Sequence, residues 1–225
     1  MLETIAAFWA EYGDTLIQGT VDTLLMVSIS TVFAYLLGLP LGVALILTQP
    51  HGIRPNRGAY RILDWIVNVG RSLPFIILMV AIMPFTKLVV GTKIGVKGAI
   101  VPLVVSAAPF IARMVETSLA EVDAGVVEAA QAMGATTWQI IRCFLMPEAL
   151  GSMVLALTTG TVGLLGASAM AGYCGGGGIG DLALTYGYEK MNTPLMIVTV
   201  IVLVILVQLL QMAGNRVSRR LREHR

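Results

Sequence analysis

The sequence predicts an all-α membrane protein with five transmembrane helices. The first observation is composition. The 225-residue chain is 56% hydrophobic and 12% charged, with a mean hydropathy of +0.83, whereas a soluble domain carries about 25% charged residues. The second is the gathering of charges between long uncharged runs, several of them close to the ~20 residues that cross the hydrocarbon core. The third is the absence of the polar–apolar alternation that a membrane barrel needs. Helices satisfy their backbone hydrogen bonds within the segment and are the form that remains. Such a chain cannot cover itself with a polar skin, which excludes an ordinary cytosolic enzyme, a disordered chain and a collagen-like one. Its net charge of +2 is too small to imply a nucleic-acid partner; membrane lipid is the expected surrounding.

Thr23 to Arg54 brackets the first span, with Leu24–Leu47 as its apolar heart. The second starts near Trp65, carries Arg71 early, and is uncharged from Ser72 to Thr86. Gly98 to Ala112 is the uncharged part of the third, with Lys97 and Arg113 placed to snorkel at its ends. The fourth lies in the uncharged stretch Ala149–Gly180, covering Ala149–Ala171, and the fifth is Met191–Asn215, centred on Ile197–Leu210.

An odd number of spans puts the termini on opposite sides, and the basic residues choose the sides. Residues 1–53 hold no Lys or Arg but do hold Glu3, Glu11, Asp14 and Asp22. All eleven Arg fall at one side: Arg54, Arg57, Arg61 and Arg71, then Arg113 and Arg142, then the tail with Arg216, Arg219, Arg220, Arg222 and Arg225. The four Lys (Lys87, Lys93, Lys97, Lys190) fall at the other. The N-terminus is therefore expected outside and the C-terminus inside. An outer N-terminal segment (1–19), a transmembrane domain (20–213) and a basic inner tail (214–225) follow. The first residues lack the basic start of a secretory signal.

Cys143 and Cys174 fall on opposite sides and are expected to stay unpaired small packing residues. Gly175, Gly177 and Gly180 match G-x-G-x-x-G formally, but no strand precedes them. Gly175–Gly178 reads instead as a turn where backbone bends or approaches closely. The histidines, His51 and His224, lie in the first inner loop and the tail. No metal spacing, no acid–base pair within a span and no phosphate-binding G-x-x-x-x-G-K-[ST] occurs. Ser168, between Ala167 and Ala169, has no base on its span to make it a nucleophile.

The inner loop Met114–Glu148 is too long for a connector and too patterned for disorder. Glu128–Met133 is a run of helix formers, Gly134 fits the left-handed position that ends a helix, and Thr136 or Thr137 can cap a second helix, Trp138–Phe144. Pro147 is expected to stop that helix and open span four. The result is an elbow at the inner membrane surface whose alanines leave it bare of side-chain bulk, suited to docking in another protein's groove. A lipid-lying helix would be richer in Lys and Arg than a loop with Glu121, Asp123 and Glu128.

Glu128-Ala129-Ala130, then Gly134, then Pro147, resembles the EAA loop of permease subunits of binding-protein-dependent ABC importers, E-A-A-x3-G-x9-I-x-L-P, with Phe144 for the Ile and Met146 for the Leu. Arg71–Leu78, Ala107–Glu116 and Ala132–Thr136 resemble the methionine-uptake branch. The resemblance implies the five-helix type I ABC importer permease fold, with a coupling-helix elbow between helices 3 and 4. It implies a homodimeric permease in a bacterial inner membrane that moves methionine, in both enantiomers, into the cytoplasm. The implied partners are a second copy, two ATP-binding cassette subunits at the elbow and an extracytoplasmic substrate-binding lipoprotein. ATP and Mg would belong to the ATPase, with no cofactor in this chain. Glu128, Ala129, Ala130, Gly134 and Pro147 would couple to it. A permease for another small solute, an intramembrane enzyme, and an ATP-independent channel or secondary transporter are the other classes. The enzyme needs an acid–base or metal set in the spans, and none is visible. The channel or carrier is expected to hold midplane charges, for which Arg71, near a span end, is the only candidate.

Span four supplies a candidate path. Its small residues, Thr158 to Gly172, fit close helix packing. They also fit a face on a two-fold axis, where Met170, with Ser168 and Gly166, would form an apolar gate that a zwitterion cannot cross. The twelve methionines carry no information on substrate, because Met is common in flexible packing.

Overall fold

The computed structural model describes residues 2–223, with side chains for residues 8–222. The side chain of Glu3, and His224 and Arg225, lie outside the described residues. Helix α1 runs Leu2–Thr48 without interruption, about 70 Å at 1.5 Å per residue, more than twice the ~30 Å hydrocarbon layer. It passes through the expected boundary at residue 19 as continuous helix. Next come α2 (Arg57–Ser72), α3 (Phe75–Ala81), α4 (Met83–Val90) and α5 (Gly95–Ala120). The inner loop forms α6 (Ala124–Ala132) and α7 (Thr137–Gln139), followed by a wide π-helical stretch, Ile140–Leu145, and α8 (Met146–Ala171). After a π turn at Gly172–Gly176 come α9 (Ile179–Asp181), a second wide stretch Leu182–Glu189, and α10 (Thr193–Glu223).

Among the described residues, four helical stretches are long and apolar enough to cross a membrane: Phe8–Thr48, Gly95–Ala120, Thr137–Gly176 and Thr193–Arg222. The second expected span is the bent pair Arg57–Ser72 and Phe75–Ala81, the fifth span if counted as one. Pro74 accounts for the break. Its ring removes a backbone donor and pushes Leu73 out of the helical region, and Pro74 itself is extended at φ −60°, ψ 132°. Arg71 sits in the last turn of α2, where cations complement the helix dipole.

Pro147 does not stop a helix, contrary to expectation. Helix continues from Thr137 through Gly176, and the capped second helix merges into span four. A proline clashes with the carbonyl four residues back, here that of Cys143. The π-helical widening at Ile140–Leu145 lies where that clash falls, and such bulges relieve it without ending the helix.

The chain divides into two compact units. The first comprises Met1–Val32, Leu73–Val105 and Thr161–Leu209 and contains all four Lys and no Arg. Its core joins Leu16, Leu182 and Leu195, with Phe8, Tyr12 and Val198 packed against them. The second comprises Phe33–Ser72, Ser106–Gly160 and Leu210–Arg225 and contains every Arg. Its core joins α1, α2 and α5 through Leu45, Val67 and Ala112.

Close packing in the second unit rests on small residues, since lipid tails provide no hydrophobic drive between helices. A Cβ on Gly38 would lie 2.8 Å from the Ala108 carbonyl oxygen, and one on Gly42 would lie 2.5 Å from that of Ala112. Gly38 and Gly42 form a G-x-x-x-G pair that lets α1 meet the backbone of α5. At the other end, the Ser218 hydroxyl donates to the Gly151 carbonyl (2.7 Å) and the Arg222 guanidinium to Ser152 (3.2 Å), tying α10 to α8.

Candidate functional site

The elbow is built by local rules. Asp123 caps α6, its carboxylate accepting from the Gly125 N–H at 2.7 Å. At the other end Gly134 stands at φ +79°. Its N–H bonds the Gln131 carbonyl (2.9 Å), and the Ala135 N–H bonds that of Ala130 (3.1 Å), the paired closure of a Schellman motif. Two residues later Thr136 and Gln139 form a capping box: the Thr136 N–H donates to Gln139 Oε1 (2.8 Å) and the Gln139 N–H donates to Thr136 Oγ1 (3.4 Å). A rigid helix, a sharp turn and a capped second helix result.

Ala130 is buried while Ala129 and Ala132 are exposed. Met133 and Trp138 are 70% and 66% exposed, two large apolar groups on the surface of the elbow. Glu128 forms no hydrogen bond or ion pair among the described residues. It lines a cleft of about 320 Å³ together with His51, Gln49 and Gln131. Pro147 lies in the first turn of α8, apart from this exposed surface.

Above the elbow, Arg113 departs from the expected snorkelling. It lies seven residues before the end of α5 and ion-pairs with Asp64 of α2 and with Glu116 at 2.7 Å. Asn68 accepts a further hydrogen bond from it at 3.1 Å. Glu116 is buried. A charged cluster thus joins α2 to α5 within the second unit.

The three path residues do not share a surface. Met170 is 48% exposed, and a Cβ on Gly166 or Gly163 would meet nothing within 4 Å. These three, at i, i+3 and i+7, form one open face of α8. Ser168 is 2% exposed, and its hydroxyl donates to the Leu165 carbonyl at 2.7 Å, so it packs inward. Beyond α8, Gly175, Gly177 and Gly178 stand at φ +92°, +76° and +85°, which makes the glycine run a turn, as the sequence suggested. It is pinned by the buried Ile179 N–H donating to Thr23 Oγ1 at 2.9 Å, while Cys174 and Cys143 are free thiols.

Residues 34–223 match the family of binding-protein-dependent transport system inner membrane components. The chain belongs to that family. As an inner membrane component it has similar relatives. It is 49% identical over 222 residues to a Vibrio cholerae protein named probable D-methionine transport system permease protein MetI, covering 99% of this chain and 98% of that one. It is 52% identical over 157 residues to the D-methionine transport system permease protein MetI of Escherichia coli K12, covering 70% and 72%. A solved structure of inward-facing conformations of the MetNI methionine ABC transporter aligns with a TM-score of 0.92 at 48% identity, over 94% of this chain and 98% of that one. The fold of this inner membrane component is thus the type I ABC permease fold.

For this inner membrane component the sequence located the elbow and its turn. It missed the Asp64–Arg113–Glu116 cluster, in which Asp64 and Arg113 are 49 residues apart, and the Gly38–Gly42 contact, which the G-x-x-x-G spacing could have signalled.

Proposed function

We propose that this chain is the permease subunit of an ATP-driven importer that carries methionine from the extracytoplasmic side of the bacterial inner membrane to the cytoplasm. It is a transport subunit, not an enzyme. The observation that carries the reading is the elbow, a capped helix closed by Gly134, with an exposed small-residue surface that has no use in a self-sufficient carrier. The names of the relatives, D-methionine permeases and a methionine ABC transporter, support the substrate.

In this reading two copies pair around the path, and two ATPase subunits, which bind ATP and Mg, seat on the elbows. A substrate-binding lipoprotein delivers methionine from outside. The N-terminus lies outside with segment 1–19, the permease domain is 20–213, and the basic tail 214–225 lies in the cytoplasm, in keeping with the Arg-rich second unit. Ala129 and Gly134 meet the ATPase, Ala130 and Pro147 hold the elbow in shape, and Glu128, free on the surface, pairs with a basic group of the partner. Met170 closes the path beside Gly166, with Ser168 supporting the helix from behind.

Uptake of labelled methionine tests the reading in bacteria stripped of their own methionine importers and supplied with this chain, its ATPase and its binding protein. Saturable uptake of L- and D-methionine that vanishes when this chain is omitted is expected. Uptake of a different solute, with methionine ignored, would overturn the substrate.

A further inference from the structure

We infer that the inner half of this permease carries a binding groove for an anionic phospholipid of the cytoplasmic leaflet. The groove, about 630 Å³, lies within the second unit and is lined by Val43, Leu47, Trp138, Ile141, Arg142 and Met146 among others. Its α1 wall extends from Leu39 to Leu47, about 12 Å of helix. That is close to one leaflet's half of the ~30 Å hydrocarbon layer. These α1 residues belong to the apolar heart of the first span, so the groove opens to lipid tails rather than to water.

One end of the groove is cationic. Arg142 is exposed and makes no ion pair or hydrogen bond among the described residues. Acidic side chains are turned elsewhere: Glu121, Asp123 and Glu148 line a separate cleft, and Glu128 lines the cleft with His51. Trp138, 66% exposed, has the amphipathic ring that settles at headgroup level. An apolar slot with an indole and an unpaired guanidinium in its lining complements one acyl chain with a phosphate headgroup above it, as basic pockets beside membrane helices do. This complementarity selects lipid over a second copy of the chain, whose matching surface would have to supply an anion.

The inference rests on the inner placement of the elbow given above. Its test uses the assembled permease–ATPase complex in nanodiscs mixing phosphatidylglycerol and phosphatidylcholine with identical acyl chains. Native mass spectrometry counts the lipids retained, and methionine transport is measured on the same preparation. Phosphatidylglycerol is expected to be retained about fivefold over phosphatidylcholine, equal to about 1 kcal/mol. Arg142→Gln should erase the preference while keeping a lipid, and Val43→Trp should expel the lipid without changing subunit stoichiometry. Equal retention of the two lipids by the wild-type complex, or unchanged retention in Val43→Trp, would overturn the inference. Loss of the permease pair or of the ATPase in Val43→Trp would overturn it too, by showing that protein fills the groove. A complex that moves methionine without lipid preference defeats only this inference, and one with the preference that moves no methionine defeats only the transport reading.

Discussion

Replacing Gly134 isolates the conformational requirement of the elbow from every steric one. At φ +79° a side chain is strained, yet a Cβ there would meet nothing within 4 Å, so any cost is backbone strain alone. For Ala that cost is about 1–2 kcal/mol; for the β-branched Val it lies toward the upper end of ~1–3 kcal/mol. Two hydrogen bonds close the turn, each with a net worth of about 1 kcal/mol. The strain of Val therefore equals what holds the turn, and the elbow should open in a large share of molecules. Asn tolerates the left-handed region and should keep it closed. The assay is ATP hydrolysed per methionine transported by the purified complex, with ATPase co-purification as a check on assembly. The ratio should rise in the order Gly, Asn, Ala, Val. Wild-type coupling in Gly134→Val, or an Asn variant as defective as Val, would refute the reasoning.

Other substitutions probe the remaining geometry. Asp64→Ala leaves Arg113 to Glu116 and Asn68. With side chains 19% and 32% exposed, the pair lies between surface bridges worth ~0–1 kcal/mol and buried ones whose breakage costs ~3–5 kcal/mol, so a loss of about 2 kcal/mol is expected as a lowered Tm in detergent; an unchanged Tm would contradict the cluster's structural role. Gly42→Leu drives a side chain into the Ala112 carbonyl and Val115 and should abolish monodisperse protein, whereas Gly163→Leu, on the open face of α8, should still fold; equal yields would refute the close α1–α5 contact. In a background with the native cysteines replaced, Met170→Cys should cross-link two copies in the resting complex, while Ser168→Cys, facing inward, should not; the reverse pattern would move the path to another face.

The legible parts of this protein are those governed by local chemistry. Runs of apolar residues announce spans because the bilayer thickness sets their length. Gly134 and Thr136 announce the elbow because a left-handed turn and a helix cap demand particular residues. Pro147 misled because the same missing donor can end a helix or widen it, and the choice depends on whether the preceding turn can open into a π-helix, as Ile140–Leu145 does. Pro74 had the opposite effect and broke a span that composition presents as continuous. Arg113 read as a snorkelling end residue although Glu116 at i+3 offered a local partner; its second partner, Asp64, stands on another helix, and pairing at that separation leaves no local trace. Ser168 and Met170 are two residues apart, which on a helix puts them about 200° apart around the axis; only the packed structure shows which of the two faces outward.

The central claim, that the chain forms a methionine path driven by a separate ATPase, is tested most directly by flux into proteoliposomes. The permease, its ATPase and its binding protein are reconstituted with the elbows facing the bath, and labelled methionine with binding protein is enclosed inside. On addition of ATP and Mg to the bath, the account predicts that methionine leaves the lumen for the elbow side against a gradient. It also predicts no movement with a non-hydrolysable ATP analogue, and less methionine moved per ATP with the Gly134→Val permease. Methionine crossing equally fast without ATP, or ATP-driven movement undiminished in the Gly134→Val permease, would contradict it.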